Sequence, residues 1–399
     1  MNPAVALFTD NFLPLSQTFV YQQIKGASPD FDITAVSLQR SNAALFPWSQ
    51  AATVRLNWID RLIHNVRGSS RTQNSMTRRQ RQICKRLLVQ AGARMVHAHF
   101  GPNGLAIQSV AQELSLPLLV TFHGYDASSC LRDPAYVEAL DGLFKHARGL
   151  AVCDSIRQRL IRAGVPSDRV QTHYIGVSTS DFPYRARKAI ASKAANGERI
   201  NLLQVGRFVE KKGHEYTIRA FADFSRHYPN SVLTLAGDGP LLHRCQALSS
   251  ELGLGSRIVF TGPQEPSEIR SLLLASDAFL HHSITASDGD QEGIPISIME
   301  AMATGLPVIA TSHSGIPEVV RHWANGLLTP ERDLVAYAAA LKQLLTFGSE
   351  FGLRGRHRIE ASFNLDKQNE MLVKIYASLL SCGGPAAKTQ TARSSATYD

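Results

Sequence analysis

The sequence predicts an α/β protein of two successive units, each a parallel, doubly wound sheet covered by helices. Short apolar runs alternate with segments of helical periodicity through both halves of the chain, and a polar, basic stretch at 185–198 reads as the linker between them. Length agrees, because 399 residues suffice for two domains of ordinary size. With 44% hydrophobic and 19% charged residues, the composition is that of a folded chain whose cores need no disulfide or structural metal.

In the first half, residues 3–8, 33–38, 95–98, 118–122 and 149–152 are apolar runs of strand length. Between them, 18–27, 77–91 and 105–114 place apolar residues three and four positions apart, which is helical spacing. The second half begins afresh at 200–205. Further strands follow at 232–236, 258–261, 278–281, 307–311 and 326–328, with helices at 214–227 and 241–252. Residues 362–380 read as a last amphipathic helix, and the Gly-, Ala-, Ser- and Thr-rich chain after Cys382 as a disordered tail. The division is therefore 1–185, 199–361, a closing helix at 362–380 and a tail at 381–399.

Composition narrows the function classes. Five cysteines (Cys84, Cys130, Cys153, Cys245, Cys382) are scattered, odd in number and without a CxxC pair, which fits free buried thiols in a reducing compartment. The first residues lack a basic region and their apolar run stops at Asp10, so no signal peptide is expected. No uncharged apolar stretch reaches the roughly 18 residues of a membrane span, and the expected location is cytoplasmic. The net charge of +9 is partly local: 61–94 carries nine Lys and Arg and no acidic residue, interleaved with Leu62, Ile63, Ile83, Leu87 and Leu88. Two readings fit this stretch. One is a solvated helix face whose stem carbons cover a core; the other is a basic amphipathic surface that docks peripherally on anionic lipid headgroups. Nucleic acid is not the expected partner, since no reader motif appears and Trp58 is the lone aromatic near these charges.

Neither GxGxxG nor GxxxxGK[ST] occurs, so dinucleotide and P-loop chemistry lose their usual support. Gly206-Arg207-Phe208-Val209-Glu210-Lys211-Lys212-Gly213 follows the strand at 200–205 and precedes a helix, at the sheet edge where open α/β folds bind ligands. Gly206 allows a sharp turn, leaving Arg207 as a planar fork and Lys212 as a mobile point charge for a diphosphate. In Glu292-Gly293-Ile294-Pro295-Ile-Ser-Ile-Met-Glu300, Pro295 suits the first turn of a helix and Gly305 its end. The helix start suits a diphosphate, Glu292 in the preceding loop suits sugar hydroxyls, and Glu300 suits a ribose diol. Asp288-Gly289-Asp290 fits either a metal-binding DxD or a turn, and the turn is the simpler reading. His97 and His99 end another strand, but no third ligand sits at metal spacing.

Glu292 and Glu300 with seven residues between them, preceded by Gly206-Arg207-x4-Lys212-Gly213, resemble retaining glycosyltransferase family 4. Ser314-Gly315-Ile-Pro-Glu318 is similar to that family's next signature, Leu235-Ala-Gly-Asp-Gly-Pro240 to its strand-end turn, and Phe260-Thr-Gly262 to its nucleobase loop. Thr121-Phe-His123-Gly-Tyr-Asp126 resembles the family's His-Gly-x-Asp, whose His lies near the reacting sugar. Phe12-Leu-Pro14-Leu-Ser16-Gln-Thr18-Phe19 departs from the usual Gly-Gly loop and looks like the subset that builds colanic acid and other exopolysaccharides.

The resemblance implies two Rossmann-like domains facing each other across a cleft (GT-B), with the C-terminal helix crossing back to the first domain. It implies transfer of a hexose from a UDP- or GDP-sugar to a glycan acceptor, with retained anomeric configuration, no metal and no cofactor; a lipid-linked acceptor would explain the basic stretch at 61–94. The catalytic set it implies is His123, Arg207, Lys212 and Glu292. Donor contacts add Gly206, Gly262, Gly293, Ile294, Pro295, Glu300, Ser314 and Gly315, while Ser16, Thr18, His99, His123 and Asp126 lie on the acceptor side. Rival readings are an epimerase or phosphorylase of the same architecture, and a non-catalytic module that binds sugar nucleotides.

Overall fold

The computed structural model describes residues 2–14, 17–54, 76–347 and 350–382. Ser16, residues 61–75 of the basic stretch and residues 383–399 of the expected tail lie outside that set.

The apolar runs of the first half become parallel strands. β1 (Ala4–Phe12), β2 (Asp32–Arg40), β3 (Ala51–Thr53), β4 (Met95–His99), β5 (Leu118–Phe122), β6 (Ala147–Ala151) and β7 (Val170–Thr172) form one sheet in the order β3-β2-β1-β4-β5-β6-β7. Both β4 and β5 are buried along their whole length and are largely apolar, with His97, His99 and Thr121 as their buried polar members. The two strands that the apolar pattern misses, β3 and β7, have three residues each at the sheet edges. So short an edge strand needs no apolar run.

Helices α1 (Thr18–Ala27), α2 (Arg78–Gln90), α3 (Gly101–Glu113), α4 (Pro134–Phe144) and α5 (Asp154–Arg162) cover this sheet. Their starts are locally encoded. Thr77 and Gln80 form a reciprocal capping box before α2, and Asp133 caps α4 with Pro134 at its first position. Helix α3 begins earlier than its apolar spacing indicates, because Pro102 lies in its first turn. Of the basic stretch, α2 buries Cys84 and Leu88 and leaves Arg78, Arg79, Arg81 and Arg86 exposed.

The second sheet holds β8 (Ile200–Val205), β9 (Ser231–Ala236), β10 (Ile258–Gly262), β11 (Ala278–His281), β12 (Val308–Thr311) and β13 (Gly326–Thr329), all parallel, in the order β10-β9-β8-β11-β12-β13. The stretch expected as the linker, 185–198, contains α6 (Ile190–Ala195). Ile190 there is 4% exposed in the second core, and Lys193 Nζ lies 2.6 Å from Asp277 Oδ2. The remaining helices are α7 (His214–His227), α8 (Leu242–Glu251), α9 (Pro266–Ala275), α10 (Ile296–Ala303), α11 (Ile316–Val319), α12 (Leu334–Gln343), α13 (Glu350–Ser362) and α14 (Leu365–Cys382). The closing segment therefore breaks between α13 and α14.

At that break the chain crosses back beside its first crossing. Val177 N donates to Phe363 O at 2.8 Å and Leu365 N to Val177 O at 3.0 Å. A Cβ on Gly176 would lie 2.4 Å from Leu365 Cα, so only glycine fits between the crossings. Helix α14 then packs on the first domain. Tyr376 meets Phe31 edge-on at 5.3 Å, and its hydroxyl lies 2.6 Å from His97 Nδ1. Strand order reverses between β1 and β4 in one sheet and between β8 and β11 in the other. Such switch points open a crevice at the carboxyl ends of the strands. Among the described residues, no helix is long and apolar enough to cross a membrane.

His97 is fully buried and uses both ring nitrogens, on Tyr376 Oη and on Thr121 Oγ1 at 2.7 Å. Tyr376→Phe keeps the ring packing and orphans Nδ1, which should cost about 1–3 kcal/mol in urea unfolding. A loss below about 0.5 kcal/mol would mean that water replaces the hydroxyl there.

Candidate functional site

The carboxyl end of β8 leads into Gly206-Arg207 and then a 3₁₀ turn, Glu210–Lys212. Gly213 ends that turn with φ 57°, and a Cβ there would lie 1.8 Å from His282 O, so glycine is obligatory. Gln204 Nε2 donates to Lys212 O at 2.9 Å and pins the turn from below. Arg207 is exposed and has no ion-pair partner among the described residues. Lys212 Nζ lies 3.2 Å from Glu292 Oε1, while Lys211 Nζ lies 3.0 Å from Asp290 and 3.8 Å from Glu292.

Glu292 is 9% exposed. Burial pushes its carboxyl upward, but Lys211 and Lys212 outweigh that and hold it at about 2. Its backbone is held as firmly. The N–H donates to His313 Nε2 at 3.1 Å, so His313 carries its proton on Nδ1 and donates it to Glu331 Oε1 at 2.6 Å. Glu331 Oε2 accepts Thr285 N at 2.7 Å. Burial alone would raise the Glu331 carboxyl, yet His313 and Thr285 bring it down to about 2. The Glu292 carbonyl accepts Ser314 Oγ at 2.6 Å, and Gly315 N donates to Gly293 O at 3.2 Å.

Pro295 sits one position earlier than expected, as the N-cap of α10 with ψ 122°, rather than inside the first turn. No side chain caps that helix start, so Gly293 and Ile294 lead to an uncapped, partly positive helix end. Glu300 lies within α10, where burial raises its carboxyl to about 7. Its carboxyl group makes no hydrogen bond or ion pair with the described residues. Gly262 ends β10 at φ 72°, with open space beside its Cα.

Across the cleft stands the loop after β5. His123 is packed between Phe19 and Phe100, with ring centroids 4.7 and 4.5 Å away. Its Nε2 lies 3.0 Å from His99 Nδ1, and burial keeps both imidazoles neutral. Two acceptor-side expectations need correction. Asp126 is fully buried, and its carboxylate accepts the N–H groups of Gly101, His123 and Gly124 at 2.9–3.0 Å. It shapes the His123 loop and does not face the cleft. His99 is likewise fully buried and touches His123 rather than open space. His99 ends β4 and Asp126 follows β5, and their sequence context carries no sign of which way they point. Thr18 is the half-buried first residue of α1.

The facing loops meet closely. Gln291 N donates to Ser128 Oγ at 3.1 Å. A Cβ on Gly124 would approach Gln291 O to 2.8 Å, and one on Gly293 would approach His123 O to 2.7 Å. Helix α5 docks on the Ser314 turn: Arg159 Nη2 donates to Ser314 Oγ at 2.9 Å, while Glu318 accepts Asp154 N and Ser155 N at 2.9 and 3.0 Å. Glu318 thus caps a helix of the other domain.

The structure therefore brings His123, Lys212, Glu292, Gly293, Ser314 and Gly315 together, with Arg207 exposed at the edge. Sequence reasoning missed Lys211, Arg159, His313 and Glu331. Only Lys211, adjacent to Lys212, carried a local signal. Among the described residues, no group of three His, Cys, Asp or Glu side chains is arranged to hold a metal. Asp290 N donates to Asp288 Oδ1 at 2.9 Å, which is the turn expected at that DxD. Chemically, the arrangement offers cations and an uncapped helix start for an anion, with carboxylates beside them for hydroxyl groups.

Because the Glu300 carboxyl is raised from 4.5 to about 7, the folded state holds that proton more tightly than the unfolded chain. Stability should fall as pH rises from about 4.5 to 7 and level off above, by at most about 3 kcal/mol. Glu300→Gln should remove this slope and leave the variant the more stable protein at pH 8, measured by denaturant unfolding across that range. Equal slopes would mean that water reaches the carboxylate.

Comparison with known proteins places this geometry. The family model described as glycosyl transferases group 1 matches residues 186–356, and that of glycosyltransferase family 4 matches residues 27–181. WcaL of Salmonella typhimurium, a glycosyltransferase assigned to colanic acid biosynthesis, is 32% identical over 307 residues, covering 74% of this chain and 73% of its own. The amylovoran biosynthesis glycosyltransferase AmsK of Erwinia amylovora is 31% identical, covering 70% of this chain and 69% of its own. Anabaena HepE, solved in complex with UDP-glucose, superposes with a TM-score of 0.75 at 16% identity, covering 94% of this chain and 99% of its own.

Proposed function

The chain belongs to glycosyltransferase family 4, and from that premise we propose that it moves a hexose from a UDP- or GDP-sugar to a glycan acceptor, with retention and without a metal. The observation that carries this reading is the Lys212–Glu292 pair, 3.2 Å apart at the sheet edge and facing the His123 loop across the cleft. Arg207 and Lys212 neutralise the diphosphate as its bond to the anomeric carbon breaks, assisted by the uncapped start of α10. The acceptor oxygen forms the new bond on the same face, and its proton passes to the departing phosphate oxygen. His123, neutral and wedged between two aromatic rings, positions the sugar. Glu292 accepts sugar hydroxyls and Glu300 the ribose diol.

Relatives assigned to colanic acid and amylovoran biosynthesis support a role in exopolysaccharide assembly. A lipid-linked acceptor fits the exposed Arg78, Arg79, Arg81 and Arg86 of α2, beside which Val89 is 60% exposed. The protein would then work in the cytoplasm, peripherally on the inner face of the cell membrane.

A thermal-shift panel of UDP- and GDP-sugars tests the donor site. The stabilising donor should lose its effect with Lys212→Ala, whereas Glu292→Ala should chiefly blur discrimination among sugars, by about tenfold for one lost charge-assisted hydrogen bond. Stabilisation by no nucleotide sugar would defeat the reading. For the membrane face, reversing the charge of Arg78, Arg79 and Arg81 should release the protein from anionic vesicles in a sedimentation assay, and unchanged binding would remove that part.

A further inference from the structure

Asp290 closes a turn with its backbone, yet its carboxylate is turned elsewhere. Lys211 Nζ lies 3.0 Å from both of its oxygens. The same ammonium is 3.8 Å from Glu292 Oε1, within Coulomb range but beyond a hydrogen bond. Lys211 therefore stands between two carboxylates and gives its hydrogen bonds to one of them. Glu292 Oε1 is buried and has no hydrogen bond of good geometry from the described residues, although the Lys212 ammonium is 3.2 Å away. A buried carboxylate oxygen left without a donor is uncommon, and it marks a place reserved for one.

We propose that Asp290 is a positioning residue for donor recognition, which keeps Lys211 off Glu292 so that one Glu292 oxygen stays open to a hydroxyl of the transferred sugar. This rests on Glu292 being the acceptor for that hydroxyl. Without the Asp290 charge, the nearest carboxylate to Lys211 is Glu292, and a shift of about 0.8 Å would bring Nζ into hydrogen-bond range. The incoming hydroxyl would then have to displace a charge-assisted hydrogen bond.

The test compares Asp290→Asn with Asp290→Glu on the full chain, read by calorimetric titration with UDP-glucose and GDP-mannose and, separately, with UDP and GDP. Asp290→Asn should weaken the nucleotide sugar about tenfold and the bare nucleotide less than about twofold. In turnover the loss should fall on the donor KM rather than on kcat. Asp290→Glu, which keeps a carboxylate beside Lys211 and leaves both lysines facing Glu292, should hold sugar-nucleotide affinity within about threefold of the parent. An Asp290→Glu variant as weak as Asp290→Asn, or an equal loss for sugar nucleotide and bare nucleotide, would overturn the proposal. If the parent protein binds none of these ligands, the donor reading of Glu292 fails first and the proposal falls with it.

Discussion

A carboxylate as buried as that of Glu292 stays ionised only because two ammonium groups face it, Lys212 at 3.2 Å and Lys211 at 3.8 Å. Removing a charge from water is costly, and nearby opposite charge must compensate. The two lysines come from the turn after β8 and the glutamate from the loop before α10, so the pair also ties neighbouring strand ends together. Each lysine is itself buried enough to need the carboxylates. Burial lowers Lys212 below its ordinary value, whereas for Lys211 the attraction of Glu292 and Asp290 wins over burial. The local charges form a closed set of two cations and two anions.

The scaffold around that set is polar as well as apolar. His313 and Glu331 hold the Glu292 N–H, and Ser314 holds its carbonyl, so the carboxylate is aimed by bonds on both sides of its own peptide. Ser314 has φ 48°, in the left-handed region where a non-glycine residue carries strain. Its hydroxyl donates to Glu292 O and accepts from Arg159, and these bonds offset that strain. Through Arg159 and Glu318 the same turn touches α5 of the other domain. Any change in the angle between the domains must therefore act on the loop that carries Glu292.

Much of this was legible in the sequence. Parallel strands buried on both faces have to be apolar runs, so β4, β5, β8 and β11 announced themselves, and the glycines and prolines of the helix ends marked the site loops. That Lys212 and Glu292 share one site could be expected because both sit in motifs that follow strands at one sheet edge, whereas their ion pair was not read from the sequence. Edge strands β3 and β7 escaped, since three residues at an edge need no pattern. Helix α6 escaped too, because its surroundings are basic and polar and only Ile190 enters the core.

The sequence by itself determined the two-sheet architecture and the chemical types gathered at the strand ends, because burial periodicity and backbone stereochemistry are local properties. Tertiary structure alone decided direction and partnership. It turned Asp126 and His99 inward, where backbone N–H groups hold the Asp126 carboxylate and a second imidazole meets His99 Nδ1, although each stands in a motif that reads as cleft-facing. It joined His313 to Glu331, and Lys211 to Asp290, across distances in sequence that leave no pattern. The physical reason is that a buried polar atom must find a partner wherever the fold supplies one, and sequence spacing does not encode that neighbour.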